Sequence, residues 1–277
     1  MFLKMPRRGR RKKEAKEVTS ETKTTTTTSR TRRRRTYRRK EFDAESWLRK
    51  HVDELSQQVG LDTLGLTRNE LIEILSKIVD NLAGSSTYIN VETMARRFRR
   101  YFDRIAPMIA AGIIEVRSEL TKEQLEFIVN NIGDYILLLA PKIYEEVKRH
   151  NSEDLIPILQ QQWIKAWINR RGAPIPPKCP KCGFNSLMPD LTCMVCGSAI
   201  TDKEVKSTQE FKEMFDEFIK KSSRSELEYV LKAGYVLLSA YGIKSPRDER
   251  SSLDIEIFLS PEDKAKIQKF LKEYHGE

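Results

Sequence analysis

Two closely spaced pairs of cysteines constrain the fold of this chain more than any other feature. All four cysteines lie in Cys179-Pro180-Lys181-Cys182-Gly183, here called the first knuckle, and Cys193-Met194-Val195-Cys196-Gly197, the second knuckle. The two pairs are near enough in sequence to surround one point with four sulfur ligands, as a tetrahedral Zn²⁺ ion requires. The glycine that follows each pair can adopt positive φ, which lets backbone amides turn toward sulfur. The spacing therefore predicts one structural zinc ion. Its ligands are Cys179, Cys182, Cys193 and Cys196.

The same residues resemble the zinc-ribbon family, whose signature is C-P-x-C-G followed by C-x-x-C-G with a β-hairpin between them. The resemblance covers residues 178–200 only, and within it the cysteines match the family's metal ligands one by one. Pro180 matches the residue that stiffens the first knuckle, whereas Met194 stands at that place in the second. Zinc ribbons occur in many nucleic-acid machines and also as staples in unrelated proteins, so the resemblance implies the metal strongly and the function only weakly. Another metal, a redox-active thiol pair and disulfides in an oxidising compartment remain alternatives.

The positive charge of the chain is concentrated near its N-terminal end. Residues 1–40 carry 17 Lys or Arg and three Glu, a net charge of +14, whereas the 33 basic and 37 acidic residues of 41–277 give −4. A strongly basic segment joined to a mildly acidic body is typical of a protein that binds a polyanion. Residues 1–40 also lack periodic apolar side chains, which predicts a disordered arm.

Nucleic acid is the partner that this arm suits best, because its eleven arginines can bind phosphates and Tyr37 can stack on a base. The affinity should then be strong, sensitive to salt and nearly independent of nucleotide sequence. A solubilising tail, a localisation signal and attachment to anionic lipid remain alternatives. The candidate contacts are Arg7, Arg8, Arg10, Arg11, Lys12, Lys13, Arg30, Arg32, Arg33, Arg34, Arg35, Tyr37, Arg38, Arg39 and Lys40.

Hydrophobic periodicity predicts a mainly α protein with an inserted zinc ribbon. Capping signals place helix starts at Asp43, Thr67 and Thr121. The expected order is a disordered arm over 1–40, a helical domain over 41–171, a Pro-rich connector over 172–177, the zinc ribbon over 178–200 and a C-terminal helical region over 201–277. Without a long apolar run, we expect a soluble intracellular protein that does not contact membrane and is cytoplasmic, or nuclear if the host has a nucleus.

Prolines suggest where the longer helices of the body bend. Residues 90–120 are expected to form one helix that Pro107 kinks or ends. The helix that begins at Thr121 is expected to continue until Pro141 interrupts it. Each proline thus predicts a bend at or close to its own position.

The C-terminal region is expected to hold a helical hairpin and one strand. Ser207 and Ser223 are predicted to cap its two helices, the second of which ends near Gly242. Residues 253–259 alternate between apolar and polar side chains, which predicts the strand. A final helix begins after Ser260.

An arginine-rich stretch in the body offers further candidate contacts. If it is helical, Phe98 and Phe102 belong to its buried stripe and the arginines fan around the polar side, where they can follow a phosphate backbone. An ordinary solvated face, with the arginines paired to nearby acids, explains the pattern equally well. Trp163 and Trp167 can stack bases, but their helical spacing favours packing. The candidate arginines are Arg96, Arg97, Arg99, Arg100 and Arg104.

We therefore expect a non-enzymatic nucleic-acid-binding protein, with DNA favoured over RNA. The arm supplies affinity, the helical body positions it, and the ribbon docks. The sequence contains no P-loop, dinucleotide-binding fingerprint, H-E-x-x-H or G-x-S-x-G pattern, and its three histidines are scattered. No small-molecule substrate is indicated.

Two alternatives remain. An interaction scaffold in a replication, transcription or translation assembly would use the acidic body and an exposed ribbon tip. That tip would comprise Phe184, Leu187 and Met188. A metal-dependent nuclease is the more remote alternative, because Asp190, Glu204 and Lys206 match the loose P-D…E-x-K pattern in which two carboxylates hold Mg²⁺. That match is short, and a helical sequence offers little of the mixed sheet that a nuclease core needs.

Overall fold

The structure is a computed structural model that describes residues 42–274. The predicted arm lies outside the described residues, and its disorder stays a prediction. The described residues group into one unit by their contacts. Within the described part, eleven α-helices and a three-stranded sheet confirm the predicted mainly α fold. None of the helices in this range is long and apolar enough to cross a membrane.

Seven helices precede the cysteines. They are α1 (Ala44–Val59), α2 (Arg68–Ala83), α3 (Val91–Arg100), α4 (Phe102–Val116), α5 (Lys122–Asn131), α6 (Ile136–Arg149) and α7 (Ile156–Arg171). The predicted caps of α1, α2 and α5 are confirmed. Asp43 accepts a hydrogen bond from Ser46 N, and Thr67 and Thr121 each form a capping box with the side chain three residues later. These caps satisfy N–H groups that the first turn of a helix leaves without a partner.

The apolar stripes of these helices meet in a common core. α1 packs against α2 and α3, α2 against α4, α4 against α5, and α6 against α7. Leu48, Leu75 and Phe98 are fully buried there. α2 and α4 approach closely at Gly112, where an added Cβ would lie 3.0 Å from Ile74. Removal of apolar surface from water, at about 25 cal/mol per Å², is the main force that holds such a bundle together.

The arginine-rich stretch does not form the single kinked helix expected over 90–120. α3 ends before Tyr101, whose φ of −111° and ψ of 18° break the helix, and α4 begins directly after it. Pro107 lies inside α4 as its sixth residue, so the carbonyl group that it leaves without a donor belongs to Asp103 in the first turn. A proline near a helix start disturbs less of the helix than one in the middle. The bend therefore occurs upstream of the proline.

The helix expected to run from Thr121 to Pro141 likewise ends before its proline. α5 ends before a short 3₁₀ turn that begins at Gly133, which has a φ of 54°. α6 then starts anew, and Pro141 is its sixth residue. Glycine adopts this left-handed conformation at little cost, so Gly133 is where the chain can change direction.

The chain beyond residue 200 adds four helices and the sheet. They are α8 (Asp202–Ser207), α9 (Gln209–Lys221), α10 (Arg224–Ala233), β1 (Tyr235–Ser239), β2 (Gly242–Lys244), β3 (Ile255–Phe258) and α11 (Pro261–Tyr274). β1 is the central strand and pairs antiparallel with both neighbours. Val236 lies opposite Ile257 of β3, and Leu238 lies opposite Ile243 of β2. β3 confirms the predicted strand, whereas β1 and β2 were not predicted.

Two further boundaries differ from prediction in this region. The helix capped by Ser223 does not reach Gly242, because Gly234 adopts the left-handed conformation (φ 83°) and the chain then enters β1. Ser207 is the last residue of α8, and Thr208 caps α9 in its place. α9 packs chiefly on β2 and α10 on α11, so these helices do not form the expected hairpin.

The connector over 172–177 is held to the body by hydrogen bonds. Trp167 Nε1 donates to Pro174 O at 3.1 Å, and Asn185 Nδ2 donates to Pro176 O at 3.1 Å. Ile175 is buried in the core. The predicted domain boundary at these residues stays a prediction, but their position beside α7 determines where the cysteines begin.

Candidate metal centre and basic surface

The four cysteine sulfurs lie within 4.8 Å of one another. Cys182 Sγ is 3.5 Å from Cys193 Sγ, and Cys179 Sγ is 3.9 Å from Cys196 Sγ. Metal–sulfur bonds of about 2.3 Å in a tetrahedron give sulfur–sulfur separations of about 3.8 Å. A disulfide would need about 2.05 Å, and all four cysteines are free thiols. The predicted cluster is therefore confirmed as a group that can hold a metal ion.

The two knuckles have the same backbone geometry. Gly183 N donates to Cys179 O at 2.9 Å, and Gly197 N donates to Cys193 O at 3.0 Å. Both glycines have positive φ, 76° and 67°, as the spacing predicts. In the second knuckle, two amides donate to Cys193 Sγ at 3.4 Å each. Amide donors stabilise a sulfur in its charged, metal-binding form.

A short hairpin connects the knuckles. Met188 N donates to Thr192 O at 2.8 Å, and an isolated antiparallel bridge pairs Leu187 with Cys193. Leu191 has a φ of 62°, which makes it the turn residue. The connection thus has the hairpin character that the resemblance implies, but through isolated bridges in place of regular strands.

Hydrogen bonds among the thiols move the pKa values of two cysteines in opposite directions. The pKa of Cys193 is lowered because the Cys179 and Cys182 thiols donate to its sulfur. The pKa of Cys182 is raised by its hydrogen bonds with Cys179 and Cys193 and by burial. Ser186 Oγ lies 3.1 Å from Cys193 Sγ and adds a hydroxyl contact. Four thiolates at one buried point repel one another, so a divalent cation is the natural way to deprotonate all of them.

Aromatic side chains of α6 and α7 surround the residues after the first knuckle. Phe184 is 1% exposed and packs edge-on against Trp163 and Tyr144, with ring centroids 6.3 and 6.0 Å away. Trp163 Nε1 donates to Asn185 O at 2.7 Å. Trp163 is buried, so it packs in the core, as its spacing with Trp167 favoured.

The prediction that the ribbon tip is exposed is wrong. Phe184 and Leu187 are buried, and Met188 is half-buried. Phe184 is buried because it packs against Tyr144 of α6 and Trp163 of α7, and Gln160 Nε2 of α7 donates to Cys182 O at 3.2 Å. Phe184 and Leu187 are therefore not available to a partner.

The three residues of the nuclease pattern have three separate sets of contacts. Asp190 accepts hydrogen bonds from the amide and hydroxyl groups of the residue two positions later, in the turn between the knuckles. Glu204 caps α8 and lies 3.3 Å from Lys181 Nζ. Lys206 Nζ lies 3.2 Å from Asp263. Metal-dependent cleavage stays a prediction.

Three of the five candidate arginines in the body are bound within the protein. Arg97 Nη1 donates to the carbonyl group of the penultimate residue of α2 at 2.6 Å, and Arg99 Nη1 donates to that of α1 at 3.0 Å. Guanidinium groups at helix C-termini satisfy free carbonyls and complement the helix dipole. Arg96 Nη2 lies 3.3 Å from Glu92 on the exposed face of α3. The solvated-face interpretation, with an arginine paired to an acid, therefore describes Arg96 alone, whereas Arg97 and Arg99 bind backbone carbonyls.

Arg100 and Arg104 are placed differently. Their guanidinium carbons lie 5.5 and 6.0 Å from the centre of the Tyr101 ring, within the range of cation–π attraction. Neither forms an ion pair with a carboxylate of the described residues. The helix break thus gathers two available cations around one exposed aromatic ring, which the sequence analysis did not single out.

The candidate contacts within residues 7–40 lie outside the part of the chain that the structure describes. Comparison of the chain with protein-family models, curated proteins and solved structures finds no match. The similarity to zinc ribbons therefore depends on the cysteine pattern and on the geometry of the knuckles alone.

Proposed function

We propose that this protein binds nucleic acid without acting as an enzyme, and that its basic N-terminal arm supplies most of the affinity. The observation that carries this proposal is the separation of charge between residues 1–40, at +14, and residues 41–277, at −4. Each cation that meets a phosphate releases condensed counterions, whereas a mildly acidic body repels a polyanion. DNA and RNA share this phosphate chemistry, and the binding test includes both.

The proposed role of the cysteine cluster is that of a structural zinc ribbon. Zn²⁺ suits four sulfur donors in a tetrahedron, and a site with four protein ligands has no open position for a substrate. Three of the cysteines are buried and Cys196 is partly exposed. The ion would fasten residues 178–200 between α7 and α8. We include an intracellular location in the proposal, because reducing conditions keep thiolates free to bind metal.

The test is to measure binding to duplex DNA, single-stranded DNA and structured RNA over a range of salt, with and without residues 1–40. The described residues, 42–274, form a unit of their own contacts, so the shortened chain should fold. We expect removal of the arm to weaken binding strongly. On duplex DNA, the slope of the logarithm of the binding constant against the logarithm of salt concentration should become shallower by about 0.9 for each phosphate contact that is lost. Equal affinity without the arm, together with a flat salt response, would exclude the proposal.

Two matched variants separate charge from arginine geometry. Changing Arg30 and Arg32–Arg35 to glutamine removes five charges, whereas changing them to lysine keeps the charges and removes the planar fork. We expect the glutamine variant to lose affinity and salt dependence. The lysine variant should keep the salt dependence and lose only the part of the affinity that depends on paired hydrogen bonds.

The scaffold alternative needs a different surface, because the expected tip is buried. Tyr241 and Phe258 are exposed and offer apolar contacts near the sheet. Stable co-purification with a polymerase, helicase or ribosome after nuclease treatment would favour the scaffold, whereas loss of the partners would favour tethering through nucleic acid. For the nuclease alternative, an Asp190→Ala and Glu204→Ala double variant that changes no metal-dependent cleavage would dismiss it.

A further inference from the structure

The break between α3 and α4 exposes an aromatic ring with two cations beside it. Tyr101 is 36% exposed, and the guanidinium groups of Arg100 and Arg104 both lie against its ring. The neighbouring arginines of α3 already bind helix carbonyls or Glu92. These two arginines therefore keep their donors for a ligand.

Arg104 also lines an open groove of about 640 Å³ between α4, the turn after α5, and α7. Most polar side chains of this groove are amide or basic. They are Arg104, Asn130, Asn131, Gln162, Lys165, Asn169 and Arg170. Its carboxylates are Asp103 and Asp134, and Asp134 is paired with Arg170 at 2.6 Å. The groove thus continues the basic surface of Tyr101 with groups that can both donate and accept hydrogen bonds.

Gln162 lines the groove and has a buried amide oxygen that lacks a donor. Its Nε2 donates to Val129 O at 2.6 Å, but its Oε1 is shielded from solvent, and no donor among the described residues reaches it. Such orphaned acceptors are uncommon in folded proteins and cost free energy. The side-chain amides that line the groove are groups that pair with base edges.

We propose that this surface binds single-stranded nucleic acid. A base stacks on Tyr101, Arg100 and Arg104 bind the adjacent phosphates, and a neighbouring base enters the groove. A duplex cannot present a base face to Tyr101 because its bases are already stacked and paired. The inference rests on the proposed nucleic-acid-binding function and adds to it the strand state of the ligand.

The test uses the full chain and fluorescence anisotropy with labelled oligonucleotides of about 16 residues, as single-stranded DNA, single-stranded RNA and duplex DNA. Tyr101→Ala should weaken binding of a single strand about 5- to 100-fold and leave duplex binding unchanged. Tyr101→Phe should bind as the parent does, because it keeps the stacking surface. Changing Arg100 and Arg104 to glutamine should lower the salt slope for the single strand by about 0.7 per lost contact.

Two matched controls test whether the position matters. Tyr88 is a tyrosine exposed to 81% without a cation over its ring among the described residues, and Arg49 is an exposed arginine paired with Glu45. Tyr88→Ala and Arg49→Gln should both bind the single strand as the parent does. An equal loss in Tyr88→Ala and Tyr101→Ala would overturn the inference.

Other outcomes separate this inference from the proposed function. Suppose that the parent protein binds and that Tyr101→Ala weakens its binding to duplex and single strand equally, or changes neither. The inference is then overturned and the proposed function stands. If the parent binds no oligonucleotide, both fall. Photocrosslinking of the parent to an oligonucleotide that contains 5-iodouracil does not depend on any variant's folding: crosslinks at Tyr101 support the inference, and crosslinks confined to residues 1–40 overturn it.

Discussion

The two knuckles share a backbone geometry but differ in what surrounds them. Behind the first, an added Cβ on Gly183 would lie 2.5 Å from Gln160 Nε2, and Phe184 is buried between α6 and α7. Around the second, an added Cβ on Gly197 would meet nothing within 4 Å, and Met194 is 39% exposed. The first knuckle thus packs against α7 at its glycine, whereas the second exposes Met194 and Gly197 although its Val195 is buried.

This difference shows what local sequence decides and what it leaves to tertiary contacts. The C-x-x-C-G pattern sets the turn, because its hydrogen bonds span only four residues. The stability of each turn depends on its neighbours. Gln160 and Phe184 connect the first knuckle to α7, whereas the second is held by backbone hydrogen bonds to neighbouring residues of the same hairpin and by the burial of Val195, so we expect it to depend more on the metal.

The largest expected effect follows from removal of a metal ligand. Cys182→Ser and Cys196→Ser should each lower zinc affinity by more than about 100-fold. Losing only a residue that hydrogen-bonds to a metal ligand already lowers affinity by up to about 100-fold, and here the ligand itself is lost. In the metal-free protein, the Gly197 amide should lose its protection from hydrogen exchange, while the Gly183 amide keeps part of its protection. Metal analysis and hydrogen exchange measure these two results.

Met194→Ala is the matched control, since it changes the second knuckle without removing a ligand. It should keep one zinc ion per chain. Retention of zinc by Cys196→Ser, or equal loss of protection at Gly183 and Gly197, would contradict the comparison. Unfolding of α1 to α5 on chelation would also contradict it, because their core is built from side chains far from the cysteines in sequence.

The second effect concerns one apolar side chain directly after the first knuckle and one within the second. Phe184→Ala should lower the free energy of unfolding by about 3–5 kcal/mol, because it leaves a cavity beside Trp163 and Tyr144. Met194→Ala should change it by no more than about 0.5 kcal/mol, because that side chain is already in contact with water. Urea unfolding of the zinc-loaded protein measures both values. Similar losses in the two variants would show that the second knuckle is as deeply packed as the first.

The knuckles and the helix caps could be predicted because their partners lie within a few residues. Asp43, Thr67 and Thr121 bond to groups three residues away, and each glycine after a cysteine pair turns within its own knuckle. Such local patterns can be recognised from the sequence alone. The same holds for β3, whose alternating side chains belong to a half-buried strand.

The rest depended on contacts between distant residues. Phe184 was expected on the surface because its contacts, Trp163 and Tyr144, are distant in sequence. Its aromatic side chain, directly after a knuckle, was the available sign that it is buried. The apolar residues of β1 fit a buried helix and a buried strand equally, and Gly234 was the available sign that the helix ends. At Tyr101 no glycine or proline marks the break, so the Arg100–Tyr101–Arg104 cluster could not be found from spacing.

The third effect compares the two glycines directly. Gly197→Ala should cost roughly 1–2 kcal/mol of stability, because alanine is strained at positive φ. Gly183→Ala should cost about 0.5–1.5 kcal/mol more, since Gln160 must move away and lose its hydrogen bond to Cys182 O. In a Gln160→Ala background the two glycine variants should cost the same. A persistent difference in that background would mean that another neighbour distinguishes the knuckles.

The smallest effect concerns the ion pair that joins the first knuckle to α8. The pKa of Glu204 is lowered first by the Thr201 backbone amide and then by the Thr201 and Lys181 side chains, so the folded carboxylate is favoured over the unfolded one. Its stabilising contribution is therefore complete above the unfolded pKa and is lost as the pH falls through the folded pKa. Lys181→Met should raise the pKa of Glu204 only slightly and leave it below its ordinary value, because the Thr201 amide remains. Lys203→Met, which removes a nearby lysine that lies outside this ion pair, is the control for long-range charge. Titration of the Glu204 carboxyl group, followed by NMR, measures its pKa in both variants. If the pKa of Glu204 returned to its ordinary value in Lys181→Met, the ion pair with the first knuckle, and not the helix cap, would set the charge of this residue.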